Sequence, residues 1–260
     1  MPFQSVAGIR FYQFEQLGDG LTQAVFTRQG GCSPDPWTSL NFGGTVGDDP
    51  ERVRKNINHA LLAVECAPES TYDVWQVHGI NVAIADAPRP PESPHLQADT
   101  ILTITPGITL LMRFADCAPI LLHDPIRKVA GMVHAGWMGT VRGTVGTAVE
   151  AMQTQYGSLP GDIQAGIGPS IGPDHYEIGK DVVAQVRQAF GQNASSLLTN
   201  HAGATYFDLW AANRLTLEKA GVRQIELAGL CTACHSEDWY SHRAERGRTG
   251  RFGAIIALNS

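Results

Sequence analysis

Between residues 100 and 133 the chain falls into four short, apolar and β-branched runs, 100–104, 108–112, 118–123 and 129–133, with gaps too small to hold a helix. Val, Ile and Thr suit a pleated surface, and Thr105-Pro106-Gly107 and Asp124-Pro125 are turn signals between the runs. Hairpin spacing of this kind argues against a strictly alternating doubly wound sheet.

The flanks add helices and further strands. Residues 8–28 hold short apolar runs broken by Gly18-Asp19-Gly20, expected as a hairpin or meander, and a Gly-rich loop covers 30–44. Asp48, Asp49 and Pro50 read as a helix start, with Val53, Ile57, Ala60, Leu61 and Val64 following at helical spacing. The run 74–85 is expected as a strand. From Trp137 the period changes, and Val141, Val145, Ala148, Val149 and Met152 form one helical stripe. A strand at 163–167, helices at 181–190 and 209–220, and strands at 224–230 and 252–258 complete the pattern. The expected fold class is mixed α/β (α+β). The Pro-rich stretch 87–94 reads as a surface loop and no linker divides the chain, so residues 1–260 are expected to form one domain.

With 260 residues, 43% of them hydrophobic, the chain can bury a sizeable core. Its net charge of −6 argues against a nucleic-acid footprint, which needs a basic face. No run approaches the ~18 apolar residues of a membrane span. The start, Met1-Pro2-Phe3-Gln4-Ser5, lacks the regions of a secretory signal. Five cysteines at irregular spacing do not read as a disulfide framework, so a reducing cytoplasm is expected.

Three soft donors sit at the ends of apolar runs: His78 before Gly79, Cys117 after Ala115-Asp116, and His134 before Ala135-Gly136. Two imidazoles and a thiolate make three ligands of a tetrahedral zinc site with the fourth position open, as in catalytic centres. The alternative is three buried structural residues, since histidines and cysteines in apolar runs are commonly core. Asp116 reads either as a partner that orients an imidazole or as a turn residue.

Other motifs exclude more than they assign. Cys231-Thr232-Ala233-Cys234-His235 has the form of a c-type haem attachment, but no export signal accompanies it, and a zinc ribbon would need a second cysteine pair. A plain loop carrying a buried Cys231 is expected there. Gly166-Ile167-Gly168-Pro169 lacks the Lys-Ser/Thr of a P-loop, and no G-x-S-x-G elbow occurs. Arg243, Arg246, Arg248 and Arg251 form a basic cluster near the end of the chain. Such a run is ordinarily solvated; folded over a cleft, it would suit an anion.

A set of motifs resembles one family along nearly the whole chain. They are Thr27-Arg28-Gln29-Gly30-Gly31, Ser39-Leu40-Asn41, Gln76-Val77-His78-Gly79, Ala115-Asp116-Cys117 and His134-Ala135-Gly136-Trp137, then Gly168-Pro169-Ser170-Ile171, Tyr176-Glu177-Ile178-Gly179, Asp208-Leu209, Cys231-Thr232 and Thr249-Gly250-Arg251. In this order they resemble the YfiH-type laccase-domain family, also labelled polyphenol oxidase or peptidoglycan editing factor. The resemblance implies a single domain of two mixed sheets packed face to face with helices outside. It implies zinc on His78, Cys117 and His134, catalytic roles for Cys117 and Asp116, and substrate contacts from Asn41, Cys231 and Arg243. The implied activity is phosphorolysis of adenosine, inosine and methylthioadenosine, and deamination of adenosine, with purine nucleosides and phosphate as partners.

Two positions depart from the family pattern. Met138 and Ile57 stand where arginine is usual, so phosphate would have to be met by Arg113, Arg142 or Arg243. Other functions compete. The nine histidines include no His-x-His pair, which excludes a multicopper centre and leaves a single copper at the trio as the alternative to zinc. Cys117 beside an imidazole would equally serve a cysteine hydrolase acting on cell-wall peptides. A non-enzymatic binding role is the remaining alternative.

Overall fold

The computed structural model of the protein describes residues 2–259. Two six-stranded sheets face each other. The first runs Phe3–Val6, Ile9–Tyr12, Leu21–Phe26, Phe252–Leu258, Thr109–Phe114, Thr71–Asp73. The second runs Gln224–Leu227, Gln164–Ile167, Ala118–Asp124, Val129–Ala135, Thr100–Thr103, Val82–Ile84. Both are mixed: Thr71–Asp73 pairs parallel in the first, and both edge strands of the second pair parallel.

Alternate residues of each central strand serve two cores. Leu110, Met112, Ala254 and Ile256 of the first sheet pack between the sheets against Ile101, Leu121, Ala130 and Met132 of the second. Their neighbours face outward. Leu111 and Ile255 meet Ala60 and Leu61 of the helix Pro50–Ala63. Ile120, Leu122 and Val133 meet Val145, Val149 and Met152 of Thr144–Tyr156 and Leu217 of Leu209–Lys219. Strands buried on both faces read as continuous apolar runs, which is why the sequence between 100 and 133 shows little alternation.

The structure differs from the sequence expectation in three places. A third, antiparallel sheet joins Glu177–Ile178, Ala204–Phe207 and Leu198–His201. Its hairpin turns at Ala202 and Gly203, both at positive φ, but Phe207 is its one buried residue and its strands carry no apolar alternation to read. The helix expected from Trp137 is two, Trp137–Arg142 and Thr144–Tyr156, divided at Gly143 in the left-handed region (φ 83°). The strand expected over 74–85 survives only as Val82–Ile84, because the segment before it is captured as a loop by Asp99. Among the described residues no helix is long and apolar enough to cross a membrane.

Candidate functional site

The three soft donors meet where the chain passes between the sheets. His78 lies on the link from the first sheet's edge strand Thr71–Asp73 to the second sheet's Val82–Ile84. Cys117 ends the short link from Thr109–Phe114 to Ala118–Asp124, and His134 closes the strand Val129–Ala135. Their ligand atoms all lie within 4.8 Å of one another, with Cys117 Sγ 3.9 Å from His78 Nε2. Gly136 permits this approach, since a Cβ there would stand 2.7 Å from Cys117 Sγ and 3.1 Å from His78 Cδ2. His78 and Asp116 hold positive φ (58° and 82°), strained for side-chain-bearing residues and recurrent at functional sites.

Asp99 organises the trio, and the sequence reading missed it. Its fully buried carboxylate accepts His134 Nδ1 at 2.8 Å and the backbone N–H groups of Val77, His78 and Gly79 at 3.1, 3.0 and 2.6 Å. That contact fixes the imidazole with Nδ1 toward the carboxylate and leaves Nε2 for the cavity. Burial opposes ionisation of Asp99, but its bonds to His134 and to the loop hold its pKa below the usual carboxylate value. Burial likewise opposes a charged Cys117. The imidazoles of His134 and His78 outweigh it and bring the thiol down to about 6. His134 is the converse case: burial disfavours its cation, while Cys117 and Asp99 raise it to about 9.

A cavity of about 720 Å³ opens over the trio. Three guanidiniums reach it, Arg113, Arg243 and Arg251, with Tyr176, Trp75 and Trp137 as aromatic walls. Arg113 is partly neutralised by Asp73, 2.9 Å from Nη2. Arg243 and Arg251 have no ion-pair partner among the described residues; Arg243 Nη1 donates to Glu177 O, and Arg251 Nη1 donates to Gly250 O. Burial lowers the pKa of Arg251, yet an arginine starts so high that it stays cationic. Burial first, then the Cys117 charge, push the Tyr176 phenol up, so it remains a hydrogen-bond donor at neutral pH.

The sequence-derived residues divide. Asp116 lines the cavity, but it orients no imidazole: its Oδ1 accepts Thr232 Oγ1 at 2.7 Å and its Oδ2 accepts the backbone N of Arg243 at 2.7 Å. It therefore ties the Arg243 segment to the trio. Asn41 is fully buried behind the wall, with Oδ1 accepting from Gly43 N and Arg251 N and Nδ2 donating to Asp48. It holds Arg251 in place through the backbone, and its amide is spent there. Cys231 also stays outside the cavity lining, its buried Sγ accepting from Gly172 N at 3.2 Å. Arg142 is not part of the lining either. Arg251 stands directly before the buried strand Phe252–Leu258, and its place at the end of the basic cluster, against that apolar run, was the signal that could have singled it out.

With the geometry in place, similarity becomes informative. A family model described as multi-copper polyphenol oxidoreductase laccase matches residues 22–259. The chain belongs to this family. As a laccase-family chain it is 38% identical, over 235 residues, to a purine nucleoside phosphorylase of Deinococcus radiodurans, covering 90% of this chain and 88% of that one. It is 33% identical over 261 residues to a purine nucleoside phosphorylase of Bacteroides thetaiotaomicron, covering 96% and 97%. Among solved structures, YlmD from Geobacillus stearothermophilus superposes with a TM-score of 0.92 at 32% identity, over 100% of this chain and 99% of that one. YfiH from Bacillus licheniformis gives 0.92 at 30% identity, over 99% of each. The YfiH-type resemblance read from the motifs is thereby borne out.

Proposed function

We propose that this chain is a zinc-dependent purine nucleoside phosphorylase that also deaminates adenosine. The observation that carries the reading is one cavity joining the His78–Cys117–His134 trio to Arg113, Arg243 and Arg251. Its volume falls within the ~300–1,000 Å³ of small-molecule sites. The names of the relatives from Deinococcus and Bacteroides support the same class.

The donor set fits zinc. His78, the Cys117 thiolate and His134 through Nε2 would hold the ion, with a fourth tetrahedral position free for substrate. Bound there, zinc would supply a Lewis acid able to polarise an oxygen or activate water. A single copper is the alternative ion, as imidazole and thiolate suit both. A multicopper centre lacks the histidines: among the described residues only His78, Cys117 and His134 converge at this cavity.

The chain's own groups account for the rest. In phosphorolysis the N9–C1′ bond breaks with its electron pair going to the purine, and a phosphate oxygen bonds C1′. Arg243 and Arg251, free of carboxylates, would hold the phosphate in bidentate fashion, with Arg113 as a partly neutralised third cation. The Tyr176 phenol would donate to an oxygen of substrate, and the faces of Trp75 and Trp137 suit a purine ring. Asp116, by gripping the Arg243 backbone, would fix the distance between phosphate and the trio.

Incubation with adenosine, inosine or methylthioadenosine, with and without phosphate, tests the reading by product mass. Free base and ribose 1-phosphate (or its methylthio analogue) are expected only with phosphate, and inosine from adenosine without it. Both should vanish on chelation and return with zinc. Arg251→Met should raise KM for phosphate about 10–100-fold, the loss of a charged hydrogen bond of ~1.5–3 kcal/mol. Free base released equally with and without phosphate, or full activity in metal-free protein, would refute the proposal.

A further inference from the structure

Outside the cavity, a second group of soft donors assembles from two distant segments. Asp174 and His175 lie on the loop after Gly168-Pro169, and Cys231 and Cys234 on the turn after Gln224–Leu227. The four ligand atoms lie within 4.8 Å of one another. His175 Nδ1 is 3.5 Å from Cys234 Sγ, 3.9 Å from Cys231 Sγ and 3.0 Å from Asp174 Oδ1. Zinc bonds of ~2.3 Å to sulfur and ~2.0 Å to nitrogen, at tetrahedral angles, set sulfur and nitrogen ~3.5 Å apart. The observed separations are close to the edges of such a tetrahedron.

The backbone is arranged for the same end. Gly172 N–H points at Cys231 Sγ from 3.2 Å, the contact a thiolate favours. A Cβ at Gly172 would stand 2.8 Å from Asp174 Oδ1 and 3.1 Å from Cys231 Sγ, so only glycine lets the loop close over the cluster. Ser170 N donates to Leu230 O and Thr232 N donates to Ser170 O, which bolts the two segments together before any ion arrives. Cys231 and Cys234 have the C-x-x-C spacing of zinc knuckles, with His175 and Asp174 in place of the second cysteine pair that the sequence lacks.

The geometry points to a second metal site, formed by Cys231, Cys234, His175 and Asp174, that takes a thiophilic divalent cation such as zinc. Both thiols give up their protons to solvent as the ion binds. Four protein donors leave no open position, so the site is structural rather than catalytic. It would stiffen the cavity from behind: Tyr176 follows His175, and Thr232 donates to Asp116, which holds Arg243.

Zinc stoichiometry under a phosphine reductant tests this, using protein stripped of metal, reloaded and desalted. Wild type should hold about two equivalents, Cys117→Ala about one, and Cys117→Ala combined with Cys234→Ala none. Cys234 and His175 are exposed, so His175→Ala provides a second variant should Cys234→Ala misfold. In the Cys117→Ala background, Co²⁺ should give a thiolate-to-cobalt charge-transfer band, which Cys234→Ala cuts by about half, one of two thiolates being lost. No zinc in Cys117→Ala, or a Cys231–Cys234 disulfide persisting under reductant, would overturn the second site. If instead wild type and Cys117→Ala hold the same single equivalent and Cys234→Ala holds none, the second site stands and the cavity centre falls.

Discussion

Asp99 sits between Ala98 and the strand Thr100–Thr103, where a carboxylate reads as a turn residue, yet it makes four hydrogen bonds that shape the site. Asp99→Asn keeps the size and removes the charge, and the amide must present a donor to groups that are themselves donors. Zinc affinity measured by chelator competition should fall about 10–100-fold, the usual cost of losing an imidazole's orienting partner. Unchanged affinity would mean that His134 needs no such partner. Asp73 is a second organiser: its buried carboxylate meets Arg89 at 2.7 Å, Arg113 at 2.9 Å and His95 at 3.2 Å. Burial opposes its charge, but Arg113 and Arg89 hold its pKa below the ordinary value. A depressed carboxylate stabilises the fold fully above its unfolded pKa of ~3.9 and loses that contribution as pH falls through the folded value. Asp73→Asn should therefore cost about 2 kcal/mol at pH 7, moderated by the partly solvated guanidiniums. The Tm gap to wild type should shrink below about pH 4. A gap constant with pH would remove the ion pair from the explanation.

At the scale of elements, legibility followed burial pattern. The helix Pro50–Ala63 was plain because Asp49 caps it, accepting from Glu51 N and Arg52 N, and Pro50 opens it. The strands between 100 and 135 were plain because both faces are apolar. The break at Gly143 was not, because Val141 and Val145 keep helical spacing across it. A Cβ at Gly143 would meet no atom within 4 Å, so Gly143→Ala isolates the backbone term. It should cost about 1–2 kcal/mol for a left-handed conformation without glycine, a fall in Tm of roughly 2–8 °C by thermal denaturation. No change would mean that the two helices can fuse. The trio was legible as residues, since His78, Cys117 and His134 each end an apolar run. The second cluster was not, because Cys231 and Cys234 meet Asp174 and His175 only through tertiary pairing of Ser170 with Cys231.

In the whole molecule, the trio lies on the seam between the sheets, with two of its residues on links that cross from one sheet to the other. An ion held by His78, Cys117 and His134 would tie those crossings together in the folded state alone, since the unfolded chain separates the donors by tens of residues. Binding only to the folded state stabilises by RT ln(1 + [L]/Kd), about 4 kcal/mol at a thousandfold excess of ligand over Kd. For a chain of this size that corresponds to a rise in Tm of roughly 8–16 °C. The measurement belongs in Cys234→Ala protein, so that the second cluster contributes nothing, with free zinc buffered. Adding Cys117→Ser should abolish most of the shift, because a hydroxyl remains protonated where this thiol, at about 6, is already ionised at neutral pH. A zinc-induced rise that survives Cys117→Ser intact would place the stabilising ion elsewhere on the molecule.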